Sequence, residues 1–326
     1  MRLAPVELQL HSRLQPPQPD LVRLSTSIGP ANDAISMWAT DEDRSGLTSR
    51  TTSPGWATFP DGKAERPARV VVTGHEPAGR TLAVIPDFWL AHATVQPLPN
   101  GQILAVGARS YWRQDGAERN AVVFADDGSP LRDGVLGDGI EHVLTTPSGE
   151  IWVGYFDEGV YGNFGWGAPD GPPPVGSHGL NRFSSDLDLL WSFAPLPDEG
   201  MDSISDCYAL NVDGEAAWAC YYTEFPVVRV QAGRPRVWAN GISGTRALAI
   251  DGEQVVFFGG YEADRDRLVI GSLGDTAIED LQERRLVLPD GAELPNGVTV
   301  FGRGSELHVI ANDEWYRLAV EDIPTR

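Results

Sequence analysis

The stretch Val143–Glu158, VLTTPSGEIWVGYFDE, carries the unit whose reading decides the fold. A short apolar run reaches a Ser-Gly turn, and a second run rich in aliphatic and aromatic residues returns from it, the pattern of a tight β-hairpin. The same unit stands at Val95–Ser110, VQPLPNGQILAVGARS, with an Asn-Gly turn, and at Tyr208–Glu224, YALNVDGEAAWACYYTE, with an Asp-Gly turn. Two looser copies are Arg246–Glu262, RALAIDGEQVVFFGGYE, and Val298–Asp313, VTVFGRGSELHVIAND. Behind each hairpin lies a further apolar strand: NAVVFADDG, GLNRFSSD, PVVRVQAG, RLVIGSLGD and EWYRLAVED.

A repeat of about 40 to 60 residues with three or four strands per copy is the pattern of a β-propeller. The N-terminal runs LVRLSTSIG, AISMWATD, ARVVVTGHE and RTLAVIPDF supply one more blade, so the expectation is an all-β, six-bladed β-propeller forming a single domain over residues 1–326. The last blade lacks an outer strand. The alternating segment VELQLHSRL (6–14) is expected to provide it, as a strand over residues 5–13, and close the ring, removing an exposed edge. One helical candidate remains, residues 276–288, TAIEDLQERRLVL.

The third blade, with Gly149, Ile151, Trp152, Val153 and Gly154 followed by Gly179-Leu180-Asn181-Arg182-Phe183, resembles the repeat of two-component-regulator propellers. That resemblance implies the propeller fold and a sensor-like role.

Composition agrees with many short strands joined by turns: 36 glycines and 25 prolines stand in 326 residues, and 41% of the chain is hydrophobic. The formal charge of −21, with Lys63 as the single lysine, disfavours nucleic acid and anionic membrane surfaces as partners. No run reaches the length of a membrane-spanning helix, and the N-terminal residues show no apolar leader pattern, so a soluble, cytoplasmic monomer is expected. Cys207 and Cys220 flank the Asp213-Gly214 turn, which would set them face to face across the hairpin, most simply as buried thiols.

The loops between the second and third strands separate the blades into two kinds. Those of blades 1, 2 and 3 are long, covering residues 41–67, 109–119 and 156–179, whereas those of blades 4 to 6 are short. The long loops carry Trp56, Phe59, Tyr111, Trp112, Arg113, Tyr161, Phe164 and Trp166, residue types enriched in binding surfaces. They are expected to form a wall on one face that recognises a small molecule, glycan or peptide, with Arg246 and Asn296 at the starts of later blades as further ligand contacts. The alternative is a propeller hydrolase, lactonase or lyase using His92, Glu141, His142 and Asp206 at the starts of inner strands. A divalent cation in the central channel is the one cofactor candidate, and no set of metal ligands can be assigned. Neighbouring residues of a strand point to opposite sides, so only one of Glu141 and His142 can face such a channel.

Overall fold

The computed structural model describes residues 3–52, 57–199 and 201–324. Its architecture is a six-bladed β-propeller, five blades being four-stranded antiparallel sheets and blade 5 carrying a fifth strand. The chain divides into two compact units, residues 15–193 and residues 1–14 with 194–326.

The first unit holds blades 1 to 3. Their strands are Leu21–Ile28, Ala34–Thr40, Lys63–His75 and Gly79–Leu90; then Ala93–Pro97, Ile103–Gly107, Ala121–Phe124 and Pro130–Gly134; then Ile140–Thr145, Ile151–Tyr155, Leu180–Phe183 and Leu189–Ser192. Within each blade every strand pairs with its sequence neighbour. The second strands, AISMWAT, ILAVG and IWVGY, are buried along nearly their whole length. Blade 2 shows why such strands are apolar on both faces: Ile103 and Ala105 pack toward blade 1 and Leu104 and Val106 toward blade 3, a pattern unlike the alternation of a sheet with one wet side. One apolar core, with Met37, Val70, Ile85, Phe88, Val95 and Phe124, lies between blades 1 and 2. Another, with Leu104, Val123, Val153, Tyr155 and Phe183, lies between blades 2 and 3.

The second unit holds blades 4 to 6, with strands Asp206–Asp213, Ala216–Tyr222, Val227–Gln231 and Arg234–Trp238; then Ala247–Asp251, Gln254–Phe258, Arg267–Leu273 and Ile278–Val287; then Thr299–Arg303, Glu306–Ala311 and Glu314–Ala319. Trp218, Trp238, Val255 and Phe257 contribute to the core between blades 4 and 5.

The N-terminal segment divides its labour. Gln9–Arg13 pairs antiparallel with Glu314–Ala319 and completes blade 6, as the alternation of residues 5–13 suggested. Ala4–Glu7 does something different: it runs parallel to Ile278–Val287 as a fifth strand of blade 5. The Leu8 N–H donates to the Val287 carbonyl at 2.9 Å between the two pieces, and the Leu8 side chain is buried. This also explains why 276–288 is a strand and no helix. It is paired on both edges, with Arg267–Leu273 and with Ala4–Glu7, and two ladders outweigh a local helical pattern.

A second departure concerns the cysteines. An irregularity at Tyr208 shifts the register, so Cys207 lies opposite Tyr221, and Cys220 lies opposite Ala209. Both thiols are buried and neither forms a disulfide. Burial pushes the Cys220 thiol up to about 12.

Blade 6 contains a titratable core group. His308 is fully buried and its Nδ1 accepts from the Trp315 indole N–H at 3.2 Å, while His11 of the N-terminal strand packs edge-on to the same tryptophan at 4.4 Å. The Glu306 carboxylate lies 3.5 Å from His308 Nε2 but is engaged by Arg317, so burial dominates and lowers the imidazole to about 3. Above the ordinary value of 6.5 the folded and unfolded chains both hold a neutral imidazole, and nothing is lost. As pH falls from 6.5 toward 3, the unfolded chain takes up a proton that the fold refuses. Stability should therefore drop by up to about 1.4 kcal/mol per pH unit from this group. Urea unfolding of the wild type and His308→Gln at pH 7, 5.5 and 4.5 should show a shallower acid loss in the variant.

Candidate functional site

The long connections of blades 1 to 3 all belong to the first unit, and they are folded elements. The first, residues 41–62, contains the helix Asp41–Leu47 and the ribbon Arg50–Thr52/Thr58–Pro60. Its helix starts at Thr40, whose hydroxyl accepts from the Asp43 N–H, and Asp41, Glu42 and Asp43 crowd the first turn, where the helix dipole favours negative charge. The second, residues 108–120, forms the ribbon Trp112–Arg113/Gly116–Ala117. The third, residues 156–179, begins with the helix Asp157–Tyr161.

These three connections are braced around Arg109, which is 2% exposed. Its Nε and Nη2 donate to the two oxygens of Asp138, 1% exposed, at 2.8 and 2.9 Å. Its Nη1 lies 2.7 Å from Glu158 Oε2, on the short helix of blade 3. The guanidinium faces the rings of Phe164 at 4.2 Å, Phe156 at 5.6 Å and Phe59 at 5.9 Å, so the first and third loops cage a residue at the start of the second. Burial pushes the Asp138 carboxyl above the usual carboxylate range, while Arg109 and the backbone N–H groups of Ser110 and Gly139 oppose that rise. Gly159 permits the approach: a Cβ there would lie 2.5 Å from the Asp138 carbonyl oxygen.

The loop aromatics belong mostly to this brace. Tyr111 stacks on Phe164 at 4.1 Å, Phe59 meets Phe164 edge-on at 5.6 Å, and Trp112 packs against Trp166 at 5.6 Å. The Trp112 N–H donates to the Phe164 carbonyl at 2.9 Å, and the Trp166 indole N–H donates to the Ser110 carbonyl at 2.7 Å. Trp166, expected at a ligand surface, is only 6% exposed and serves as interior packing of the loops. Tyr161 is 67% exposed at the end of its helix, and Trp56 lies outside the described residues.

Beside the brace, blades 1 and 2 enclose a cavity of about 890 Å³ lined by Glu42, Asp61, Arg66, Tyr111, Arg113 and Glu118 among others. Most of its charges are matched. Arg66 pairs with Glu42 at 2.9 Å and Asp43 at 3.0 Å, Arg113 pairs with Glu118 at 2.9 Å, and Asp61 accepts from the Thr51 hydroxyl at 2.7 Å. Arg113 also lies over the Tyr111 ring at 4.9 Å. Burial, with Asp61 next in importance, raises the Tyr111 phenol above its ordinary value and keeps it a hydrogen-bond donor.

The polar residues at the starts of inner strands form no comparable group. His92, with φ of 47°, is held by its ring nitrogen against the Ser49 carbonyl at 2.7 Å. Glu141 falls at the register irregularity between Ile140 and His142, is exposed, and makes no hydrogen bond or ion pair with His92 or His142 among the described residues. In the second unit Asp206 opens its strand opposite Tyr222, Arg246 is exposed ahead of Ala247–Asp251, and Asn296 accepts from Arg265. Among the described residues no three His, Cys, Asp or Glu side chains come together as a metal site.

Arg109, Asp138, Glu158 and Asp61 were not singled out by sequence reasoning. The one available signal was Asp138 between Gly137 and Gly139, both with positive φ, a turn placing a carboxylate just before an inner strand.

A family model described as the YxzG family matches residues 194–317, which begin where the second unit resumes after the first. No curated protein sequence matches the chain. Among solved structures, the chain is similar to apo AztD from Citrobacter koseri, at 10% identity over 93% of this chain and 87% of that one, with a TM-score of 0.41. It is similar to the Cps50 (Swd1) β-propeller domain of Myceliophteria thermophila at 9% identity, over 95% and 98% of the two chains, with a TM-score of 0.44. The BT4673 extracellular domain from B. thetaiotaomicron matches all of this chain but 43% of its own, at 9% identity and a TM-score of 0.44. No transmembrane-length apolar helix occurs among the described residues.

Removing Arg109 leaves Asp138 buried without its partner, a loss of about 3–5 kcal/mol. Arg109→Leu should lower the unfolding free energy by that amount in urea titrations, and Arg109→Lys, which cannot reproduce the bidentate fork, should fall between it and the wild type.

Proposed function

We propose that the chain is a ligand-binding, sensor-like propeller whose ligand is a neutral, polyhydroxylated small molecule of the glycan class, taken into the cavity between the blade 1 and blade 2 loops. The observation that carries this reading is the internal pairing of charge around Tyr111. Arg66 with Glu42 and Asp43, and Arg113 with Glu118, set paired donors and acceptors along the wall, with Asp61, Lys63 and Glu65 outside those pairs. Such a wall suits hydroxyl groups better than an ion, because a charged ligand would have to break pairs already made. Tyr111, stacked on Phe164 and lying under the Arg113 guanidinium, is half-buried at the cavity wall and offers its ring edge and phenol hydroxyl to a ligand. The cavity, at about 890 Å³, is of the size that small-ligand sites occupy.

The Arg109 brace supports the same reading from below. It holds the Tyr111–Arg113 ribbon against the third loop, so the contact groups are set before the ligand arrives and less ordering is needed on binding.

Isothermal titration with a panel of neutral disaccharides, including cellobiose, maltose and xylobiose, tests the proposal. At least one should bind saturably, Tyr111→Ala should weaken it about tenfold or more, equivalent to about 1.4 kcal/mol, and Arg113→Gln should weaken it less. Equal affinity in Tyr111→Ala, or binding confined to charged peptides, would overturn the assignment.

A further inference from the structure

Three blades share a motif that the loop site does not use. In blade 3 Trp152 and Arg182 are direct cross-strand partners, the guanidinium lies over the indole at 5.6 Å, and Glu150, two residues before the tryptophan, pairs with the arginine at 3.1 Å. In blade 6 His308 and Arg317 occupy the same positions, and Glu306, again two residues earlier, accepts from Arg317 Nε at 2.9 Å. In blade 4 Trp218 and Arg229 are the cross-strand pair, with the guanidinium 5.3 Å from the ring centre. The residue two before Trp218 is Ala216. Blade 4 keeps the aromatic and the arginine and lacks the acid.

The consequence is an arginine whose guanidinium makes no hydrogen bond or ion pair among the described residues, with its Nε buried and unpartnered. A second cation stands directly opposite: Arg229 and Arg236 are register partners on adjacent antiparallel strands, which places them on one face of the sheet. Like charges in that arrangement repel. Arg236 lies over Trp238 at 4.5 Å and, among the described residues, donates only to a backbone oxygen, that of Asp275 at 3.3 Å. The two tryptophans beneath are stacked at 5.6 Å and 23°. The result is a pair of guanidinium groups laid side by side on an aromatic floor, presenting donors and no acceptor.

This pair opens into a cavity of about 740 Å³ between blades 4 and 5, wholly within the second unit. Asp213, Glu253, Asp275 and Glu279 line the same cavity, and none of them forms an ion pair with a described residue. A ligand that is only an anion would meet four carboxylates, and one that is only a cation would meet two arginines. A molecule carrying both charges satisfies the two ends at once. We propose that this cavity binds a zwitterionic small molecule of the amino-acid or short-peptide class, its carboxylate on Arg229 and Arg236 and its ammonium group among the carboxylates. The carboxylate would take the place beside the arginine that Glu150 and Glu306 hold in the other blades.

The experiment is a titration of the full chain, with indole nitrogens labelled, by diglycine, acetate, ethylammonium and inorganic phosphate, read as Trp218 and Trp238 N–H resonance shifts. Diglycine should shift both resonances saturably, with acetate and ethylammonium at least tenfold weaker. Arg229→Gln should weaken diglycine at least tenfold. Ala216→Glu, which supplies the acid found in blades 3 and 6, should abolish the shifts without lowering the melting temperature. Absence of saturation by diglycine, or diglycine binding unchanged in Arg229→Gln, would overturn the proposal. Phosphate binding as tight as diglycine would overturn the zwitterion assignment.

Discussion

A sheet that is apolar on both faces cannot stand alone in water, and every other property of this chain follows from how that constraint is met. The second strands of the blades, such as Ile151–Tyr155, are buried throughout, and their side chains fill cores shared with the neighbouring blade. Positions on the faces are therefore committed to packing, where a change of one methylene is felt. Freedom to vary lies at strand ends and in connections. The two proposed sites accordingly lie in the long loops of blades 1 to 3 and at the turns and outer strands of blades 4 and 5.

The same pairing physics is used with opposite outcomes at different arginines. Arg109 is deeply buried and fully engaged, by Asp138 and Glu158 and by three phenyl rings, so its charge organises loops and is unavailable to anything else. Arg182 and Arg317 are likewise matched by a glutamate within their own blades. Arg229 has the aromatic partner without the acid. Where a repeat omits one member of an ion pair, the remaining charge is left for water or a ligand to complete.

The hairpin period was readable because a turn such as Ser148-Gly149 and the flanking apolar runs are local, and six copies reinforce one another. Residues 276–288 misled because their local pattern is helical while their partners, Ala4–Glu7 above all, are distant in sequence. The cysteines misled for a smaller reason, a single irregularity at Tyr208 that shifts the register. The long loops could be located from their length, but their role could not be divided between brace and surface. Trp166 and Tyr161 lie five residues apart in one loop, and one is buried while the other is exposed. Arg109 and Asp138, 29 residues apart, belong to no period, and no local pattern marks them as partners.

The division of the N-terminal segment has a consequence for how the molecule is made. Residues 15–193 form a continuous unit, whose every strand partner has left the ribosome once blade 3 is synthesised. Ala4–Glu7 and Gln9–Arg13 emerge before the strands of all six blades and are paired only after blades 5 and 6, since their partners lie at Ile278–Val287 and Glu314–Ala319. Contacts such as Arg13 with Glu314, separated by 301 positions, are the slowest kind to form. During that interval the exposed alternating strand is a bare edge in search of a ladder. Its short length, with a proline at position 5 and an arginine at position 13, is the protection the nascent chain carries against pairing with a neighbour before its own last blade arrives.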